Sequence, residues 1–212
     1  MFHPLRVALI AIGFAILSLQ AHAGDDKGFV DLFNGTDLTG FKIFPEKATQ
    51  TFTVVDGYVK VSGNPAGYFY TDKSFKNCVI RFDWRYKRPA NLKDDKKFGG
   101  NSGLLLHIQG KHKVWPNCLE VQGANGSHGS FISIGKTGLT KAKFSGAALA
   151  KVRKKVGEWN TTEVTVKDGD VLVKVNGAQV NSGKMTLVEG PFGFQSEGSE
   201  LHFKNIKVKT LD

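Results

Sequence analysis

Cysteine is scarce in this sequence of 212 residues: only Cys78 and Cys118 occur, which permits at most one disulfide bond. Metal binding by two lone cysteines is disfavoured. Cys78 alternates in phase with an apolar strand face and Cys118 with a polar one, so we expect their side chains to point in opposite directions. Both lie at the starts of predicted strands, where alternation is a weak guide, and the sequence leaves the disulfide open.

Long apolar segments are also missing. The one apolar run, Val7–Leu19, is shorter than the ~20 residues that span a bilayer. Arg6 before it and Ala21-His22-Ala23 after it complete the pattern of a signal peptide over residues 1–23, with cleavage after Ala23. A retained N-terminal anchor is the alternative. We therefore expect an exported protein, periplasmic or secreted, with one domain over residues 24–212 and no stable membrane insertion after cleavage.

Acidic residues are outnumbered by basic ones, 19 to 29, which gives a net charge of +10. A basic exported protein can bind nucleic acid, an acidic polysaccharide or an anionic surface. The basic residues are mostly dispersed, and the two runs at 93–97 and 151–155 are predicted to be solvated. No nucleic-acid-binding motif is present, so nucleic acid is not a predicted partner.

Helical periodicity is nearly absent: the one candidate helix, Ala147–Lys155, is so short that a loop explains it almost as well. Short alternating segments separated by turn signals dominate instead, which predicts an all-β fold, a two-sheet antiparallel sandwich or a barrel. The clearest alternation lies in Asn77–Tyr86. Further strands are predicted at Phe29–Phe33, Asp37–Phe44, Phe52–Val55, Tyr58–Val61, Gly67–Thr71, Gly103–Ile108, Cys118–Gln122, Phe131–Ile134, Thr161–Lys167, Val171–Val175, Pro191–Gln195 and Leu201–Lys209.

Residues suited to chemistry are concentrated in one stretch, 98–134. Two of its predicted strands and their loops carry His107, His112, Trp115, Glu120, Gln122, Asn125 and His128. In a sandwich the polar side of each strand faces outward. If their strands share a sheet, the polar residues converge on its outer face; this set is Arg81, Asp83, Arg85, His107, Glu120, Gln122 and Gln195.

Seven motifs, in order, resemble the 3-keto-disaccharide hydrolase domain family, also described as 3-keto-glucoside 1,2-lyase/3-keto-2-hydroxy-glucal hydratase. They are LFNGTDLTGF (Leu32–Phe41), FDWRY (Phe82–Tyr86), NSGLLLHI (Asn101–Ile108), LEVQG (Leu119–Gly123), GEWN (Gly157–Asn160), VNG (Val175–Gly177) and GFQSEG with LHFKNIKVK (Gly193–Lys209). The resemblance covers essentially the whole mature chain. It implies a concanavalin A-like jelly roll of two packed antiparallel sheets.

The sequence departs from the family pattern at three places. Phe41 stands where the family usually has Trp, and His107 where many members have Arg. After Glu120-x-Gln122, two apolar residues and an Asp are replaced by Gly123, Ala124 and Asn125. Because Asn125 replaces that Asp, the resemblance gives little support for a metal-binding or acid role at this position. The replacement also suggests a subfamily whose substrate differs.

The resemblance implies cleavage of a sugar that is already oxidised at C3. A base removes the acidified C2 proton, an enediolate forms, the aglycone leaves C1, and water adds to the product. Such a site needs a base, an electrophile for the enediolate and an acid for the leaving group. It does not need the paired carboxylates of ordinary glycosidases.

His107 and Glu120 are the candidates for base and acid, and Glu120 could instead bind a metal. Substrate binding is assigned to Asn101, Gln122, Asp83, Arg85, Trp115, Gln195 and His128. The enediolate could be held by Arg81 or Arg85, or by a divalent metal bound through Glu120, His107 and Asp83; the spacing alone does not establish a metal. No other cofactor is predicted, and the predicted partner is an oxidised sugar or glycoside.

Purely structural roles compete with these assignments. Asp83 and Arg85 could form a cross-strand ion pair, Trp115 could cap the core, and Trp84 and Trp159 are predicted to lie in the core. At the level of function, the main alternative is a non-catalytic lectin-like carbohydrate-binding module on the same fold. A glycoside hydrolase with two catalytic carboxylates is weaker, since only Glu120 and Asp83 are well placed and no E-x-D-x-x-E signature occurs.

Overall fold

A computed structural model describes residues 26–212. The predicted signal peptide and its cleavage site lie outside the described residues. Within the described part, no helix is both long and apolar enough to cross a membrane.

Residues 26–212 form fourteen strands and one short α-helix, α1 (Gly146–Val152), with 3-10 turns at Glu46–Thr51 and Asp95–Lys97. The strands are β1 (Val30–Asp31), β2 (Phe41–Phe44), β3 (Phe52–Val55), β4 (Tyr58–Val61), β5 (Gly67–Thr71), β6 (Cys78–Tyr86), β7 (Gly103–Gln109), β8 (Asn117–Gln122), β9 (Phe131–Ile134), β10 (Asn160–Lys167), β11 (Asp170–Val175), β12 (Ala178–Lys184), β13 (Gly193–Ser196) and β14 (Leu201–Thr210).

The strands are divided between two antiparallel sheets. The first sheet has the order β12-β11-β10-β6-β14-β4-β3, with β1 paired to β14. The second sheet has the order β2-β5-β13-β7-β8-β9. Sequence alternation explains the packing, because every second residue of β6, from Cys78 to Tyr86, is buried. The two-sheet antiparallel sandwich predicted from the sequence is confirmed.

The tight hairpins follow from their turn residues. Asp56-Gly57, Asp168-Gly169 and Asn176-Gly177 each have positive φ at both positions. Two-residue hairpin loops of this kind require that conformation, which Asn-Gly and Asp-Gly adopt at low cost. They join β3 to β4, β10 to β11 and β11 to β12.

The main core lies between the sheets. Phe82 and Phe203 of the first sheet contact Phe194 of the second, with ring centroids 5.1 and 4.9 Å away. Phe69 stacks on Phe194 at 5.0 Å. A smaller buried cluster lies on the outer face of the second sheet. It consists of side chains that alternate along their strands with the core-facing ones: Tyr68, Leu105, Ile108 and Cys118.

Several predicted bounds are corrected. The first predicted strand shrinks to Val30–Asp31 and the second to Phe41–Phe44, because the Asn34 side chain accepts hydrogen bonds from the Thr36 and Asp37 amides and forms a turn. Strand β12 was not predicted, since its sequence AQVNSGK is largely polar. The candidate helix forms as Gly146–Val152, with the Ser145 side chain as its N-cap.

Both cysteines are buried free thiols. Cys78 lies in the core between the sheets, and Cys118 lies in the small cluster on the outer face of the second sheet. The opposite orientations expected from alternation are therefore found, and no disulfide forms. Burial raises the pKa of each thiol to about 12, so both stay protonated at neutral pH.

Candidate active site

A polar site lies on the outer face of the second sheet, where Glu120 and Gln195 meet over Gly103. Glu120 on β8 is paired with Leu105 on β7, and Gln195 on β13 is paired with Tyr68 on β5. These residues alternate with core residues such as Leu119 and Phe194, so their side chains leave the sheet on the same outer side.

Glu120 is a buried acid with an unsatisfied oxygen. Its exposed fraction is 4%, and its Oε1 atom has no hydrogen-bond partner. Burial raises the pKa of the carboxyl group to about 7; the negative charge of Glu197 adds to this shift, and the Gln195 amide opposes it. At neutral pH the group is close to the midpoint of its titration, which suits a general base or acid.

Two further buried side-chain oxygens, from strand β13 and from the residues just before β7, also lack hydrogen-bond donors. They are Oε1 of Gln195 and Oδ1 of Asn101, which lies in a bridge to Glu197 at the end of β13. Unsatisfied buried acceptors are rare in folded proteins and call for an explanation. All three oxygens can accept hydrogen bonds from the hydroxyl groups of a sugar.

The absence of a side chain at Gly103 lets the side chains of Glu120 and Gln195 meet directly over the β7 backbone. A Cβ atom at this position would lie 2.5 Å from Oε1 of either residue. The backbone of Gly103 is not in the left-handed region, so the residue contributes space and not an unusual conformation. Any side chain at this position would displace at least one of the two oxygens.

Aromatic side chains extend the site along β5. The Tyr68 hydroxyl and His112 Nδ1 are joined by a hydrogen bond of 2.7 Å. The His112 ring also packs on Tyr70, with centroids 4.4 Å apart, and on Phe44 at 6.0 Å. His112 and Tyr70 are half-buried, so parts of their rings remain available to a sugar ring.

His107 does not join Glu120. A β-bulge follows Leu106, and His107 adopts φ = 50°, which interrupts the alternation on which the prediction depended. Its Nδ1 atom donates to the Leu187 carbonyl at 3.1 Å, and its contacts are with the 187–190 loop and Lys76. Burial lowers its pKa, so His107 is a neutral, buried residue beside that loop.

Asp83 and Arg85 were wrongly grouped with Glu120. Their strand, β6, pairs with β10 and β14 in the first sheet. Alternation fixes the side of a strand but not the sheet that it joins, and the core separates this face from Glu120. Asp83 accepts hydrogen bonds from Thr161 and Asn205 and forms no ion pair with Arg85. Arg81, on the same strand, pairs with Glu163 and Asp26.

His128 was also wrongly assigned to substrate binding. It is buried between the sheets, stacks on Trp84 at 4.0 Å, and shares a hydrogen bond of 2.8 Å with Thr162 Oγ1. Burial lowers its pKa to about 3, so the ring is neutral. His128 lies in a loop, where no alternation in the sequence indicates that its side chain points into the core.

The remaining predicted site residues have mixed outcomes. Gln122 is paired with Gly103 at the site, but its Oε1 atom accepts from the Ala124 amide and supports the turn. Asn125 donates to the carbonyls of Asp95 and Phe98 and has a structural role. Trp115 is 54% exposed and does not cap the core.

The predicted metal ligands are not assembled. Asp83 lies on the opposite sheet from Glu120, and His107 is turned into the 187–190 loop. Across residues 26–212, no group of three or more His, Cys, Asp or Glu side chains is placed to hold a metal ion. The residues do not fit the metal set expected from the sequence.

A family model described as the 3-keto-α-glucoside-1,2-lyase-like domain matches residues 28–209. The chain belongs to this family. The 3-keto-α-glucoside-1,2-lyase-like domain therefore comprises both sheets, and it contains the Glu120 site in full.

Known relatives agree with this family and its fold. A 3-keto-disaccharide hydrolase from Bacteroides thetaiotaomicron is 21% identical over 89% of this chain and 80% of its own. The structure of a proposed glycosyl hydrolase from Parabacteroides distasonis has a TM-score of 0.64 at 26% identity, covering 91% of this chain and 98% of that one. A carbohydrate-binding module from Bacillus subtilis shares the fold alone, with a TM-score of 0.58 at 11% identity over 81% of this chain and 96% of that one. The fold is a concanavalin A-like jelly roll.

The sequence analysis did not assign three residues of this domain to the candidate site: Tyr68, Tyr70 and Glu197. Tyr68 and Tyr70 are in phase within GYFYT, yet nothing in that segment indicated which sheet β5 joins. Glu197 stands two residues after Gln195, just past the end of β13, where alternation no longer predicts direction. Its negative charge raises the pKa of Glu120, an effect of proximity in three dimensions that the sequence does not show.

Proposed function

We propose that this protein cleaves 3-keto-glycosides, with Glu120 as the base that removes the C2 proton of the sugar. One observation carries the proposal: a buried carboxyl group with a pKa of about 7 has an unsatisfied oxygen. The family and the curated relative, which is named for 3-keto-disaccharides, support the choice of substrate.

The proposed reaction begins with binding. Asn101 Oδ1 and Gln195 Oε1 accept hydrogen bonds from sugar hydroxyls, and the rings of Tyr70 and His112 support the apolar surface of the sugar. These contacts hold the C2–H bond toward Glu120. Because amide oxygens carry no charge, they position the substrate without adding negative charge beside Glu120.

The chemical step is an elimination. Glu120 takes the C2 proton, and the electron pair of the C2–H bond is delocalised onto the C3 oxygen as an enediolate. The electron pair then forms the C1–C2 double bond as the C1–O bond breaks. The proton on Glu120 passes to the departing aglycone oxygen, and a pKa near 7 permits both transfers. Addition of water across the double bond gives the free 3-keto sugar.

We also propose that the protein is exported, with residues 1–23 removed as a signal peptide. The apolar run and the Ala21-His22-Ala23 sequence support this. N-terminal sequencing of the protein from a periplasmic or culture fraction should begin at Gly24. A chain that begins at Met1 in a membrane fraction would instead identify a retained anchor.

The decisive experiment follows aglycone release from a panel of 3-keto-glucosides by mass spectrometry, with and without a chelator. Wild type should form a 2-hydroxy-3-keto-glucal product. Glu120→Gln should reduce the rate by about 100-fold or more, the contribution expected of a positioned base. Glu189→Gln, at an exposed carboxylate outside the site, is the matched control and should retain activity.

Two outcomes would contradict the proposal. Undiminished turnover by Glu120→Gln would exclude Glu120 as the base. No turnover of any keto sugar, with sugar binding retained, would identify a lectin-like binding module.

A further inference from the structure

A second cluster of aromatic and basic residues lies on the outer face of the first sheet. Arg85 projects from β6, Tyr58 from β4 and Lys204 from β14, and Trp159 precedes β10. Trp159 was predicted to be a core residue; it is half-buried on this face, as is Tyr58. The core separates this cluster from Glu120.

Arg85 is fixed by contacts that leave its charged end unpaired. Its guanidinium lies 4.5 Å from the centroid of the Trp159 ring and 5.5 Å from that of Tyr58. Its Nε atom donates to His202 Nδ1 at 3.1 Å. Within residues 26–212, its terminal Nη atoms have no hydrogen-bond acceptor, and no carboxylate is within 4.0 Å.

The hydrogen bonds behind Arg85 set its orientation. Because Arg85 donates to Nδ1, the proton of the His202 ring is on Nε2, which donates to Glu200 Oε1 at 3.1 Å. The other Glu200 oxygen accepts from Lys87 at 3.1 Å. Glu200 is thereby engaged by two partners and does not pair with Arg85.

Lys204 adds a second cation at the same place. Its ammonium group lies 4.4 Å from the Trp159 centroid, and no carboxylate of residues 26–212 pairs with it. The nearby acid Asp83 is paired with Lys204 in the strand register, but its two oxygens accept from Thr161 and Asn205. Two oriented cations, neither with a carboxylate of residues 26–212 within 4.0 Å, therefore flank one indole ring.

We propose that Arg85, Lys204, Trp159 and Tyr58 form a second carbohydrate-binding site, one that takes a uronate, a sugar that carries a carboxylate. A planar guanidinium with its terminal N–H groups free matches a carboxylate in two parallel hydrogen bonds. Aromatic surfaces beside the cations suit a sugar ring, whereas a mineral anion would not need them. The net charge of +10 favours approach of an acidic polymer.

This site works independently of the chemistry assigned to Glu120. A uronate bound to the first sheet leaves the outer face of the second sheet accessible. The protein would then be held on an acidic glycan while its other face binds a different sugar.

The test uses the mature chain and calorimetric titration with a short oligogalacturonate. Its methyl ester, which lacks the charge, and inorganic phosphate, which lacks the sugar, are the comparison ligands. Loss of the paired charged hydrogen bonds in Arg85→Gln should weaken oligogalacturonate binding about tenfold or more. Arg85→Lys keeps the charge without the planar fork and should recover only part of the affinity.

Lys167→Gln is the matched control, because it removes one exposed positive charge from the same sheet outside the cluster. It should change the affinity by about twofold at most. Lys204→Gln provides a second variant of the site if Arg85→Gln does not fold, as judged by thermal unfolding. Both site variants should lose affinity.

Three results would overturn the proposal. Equal binding of the methyl ester would exclude recognition of the carboxylate. Binding of phosphate as tight as that of the oligosaccharide would show an anion site without sugar recognition. An equal loss of affinity in Lys167→Gln would show diffuse charge attraction.

Discussion

Glu120 Oε1 and Gln195 Oε1 each lie 2.5 Å from the point that a Cβ atom at residue 103 would occupy. The carboxylate of Glu120 on β8 and the amide of Gln195 on β13 thus meet over a glycine on β7, the strand between them. The relationship explains how the Glu120 and Gln195 side chains can lie directly against the β7 backbone in a closely packed face. It also indicates which substitutions should separate function from stability.

Gly103→Ala should inactivate the protein while leaving it folded. The added methyl group must displace Glu120 or Gln195, and displacement of a catalytic group by about 1 Å costs roughly 100-fold in rate. Crowding should lower the free energy of unfolding by about 1–3 kcal/mol. Rates on a 3-keto-glucoside and urea unfolding measure the two effects. Gly126→Ala is the control, because a Cβ atom at that position meets nothing within 4 Å. Full activity of Gly103→Ala would contradict this account.

Glu120 should make the protein less stable as pH rises from about 4.5 to about 7. Its folded pKa, about 7, exceeds the ordinary glutamate pKa of 4.5, so the folded state binds more protons in this window and stability falls. The loss amounts to about 3 kcal/mol and persists above pH 7. Urea unfolding of wild type and Glu120→Gln at pH 5 and pH 8 tests this. The variant should gain relative stability at pH 8; a constant difference between the two pH values would refute it.

Glu197→Gln should shift the pH dependence of activity toward lower pH. The rate should rise with pH as Glu120 loses its proton, with an inflection near its pKa of about 7. The charge of Glu197 contributes to that raised pKa, and the variant removes it. The pH profile of kcat/KM measures the inflection, with Glu189→Gln as the control. An inflection that stays in place would mean that the two carboxylates do not interact.

His128→Ala should destabilise the fold by about 3 kcal/mol, because it leaves a cavity beside Trp84 and removes a hydrogen-bond partner of Thr162. Trp115→Ala, at an exposed position, should stay within about 0.5 kcal/mol of wild type. Urea unfolding compares the two variants. If His128→Ala were as stable as wild type but failed to bind sugar, His128 would be a substrate-binding residue after all.

The sequence predicted most of the strands and part of the candidate site, since alternation of apolar and polar residues follows directly from the strand period of two. Glu120 and Gln195 were placed correctly because regular alternation continues through β8 and β13. Asp83 and Arg85 were misplaced because their alternation is equally regular but belongs to the other sheet. Strand order is set by contacts between distant segments, which no local pattern records.

The predicted positions of the His107 and His128 side chains were wrong for different reasons. The β-bulge in β7 begins after Leu106, and His107, with its positive φ, lies within the bulge, where alternation no longer holds. His128 lies in a turn, where no periodicity relates sequence to direction, and its burial depends on Trp84 and Thr162 from another sheet. The cluster around Arg85 was likewise hidden, because Trp159 and Tyr58 come from separate parts of the chain.

The two free thiols, which lie on different sides of the second sheet, have a practical meaning for making and storing this protein. Its folded domain requires no oxidation, so it should carry the same two free thiols whether it folds in a reducing cell interior or outside the cell. Neither sulfur is accessible or readily ionised, which protects purified samples from crosslinking. A single cysteine added on the surface would therefore be the one site that a thiol-specific dye labels in the folded protein.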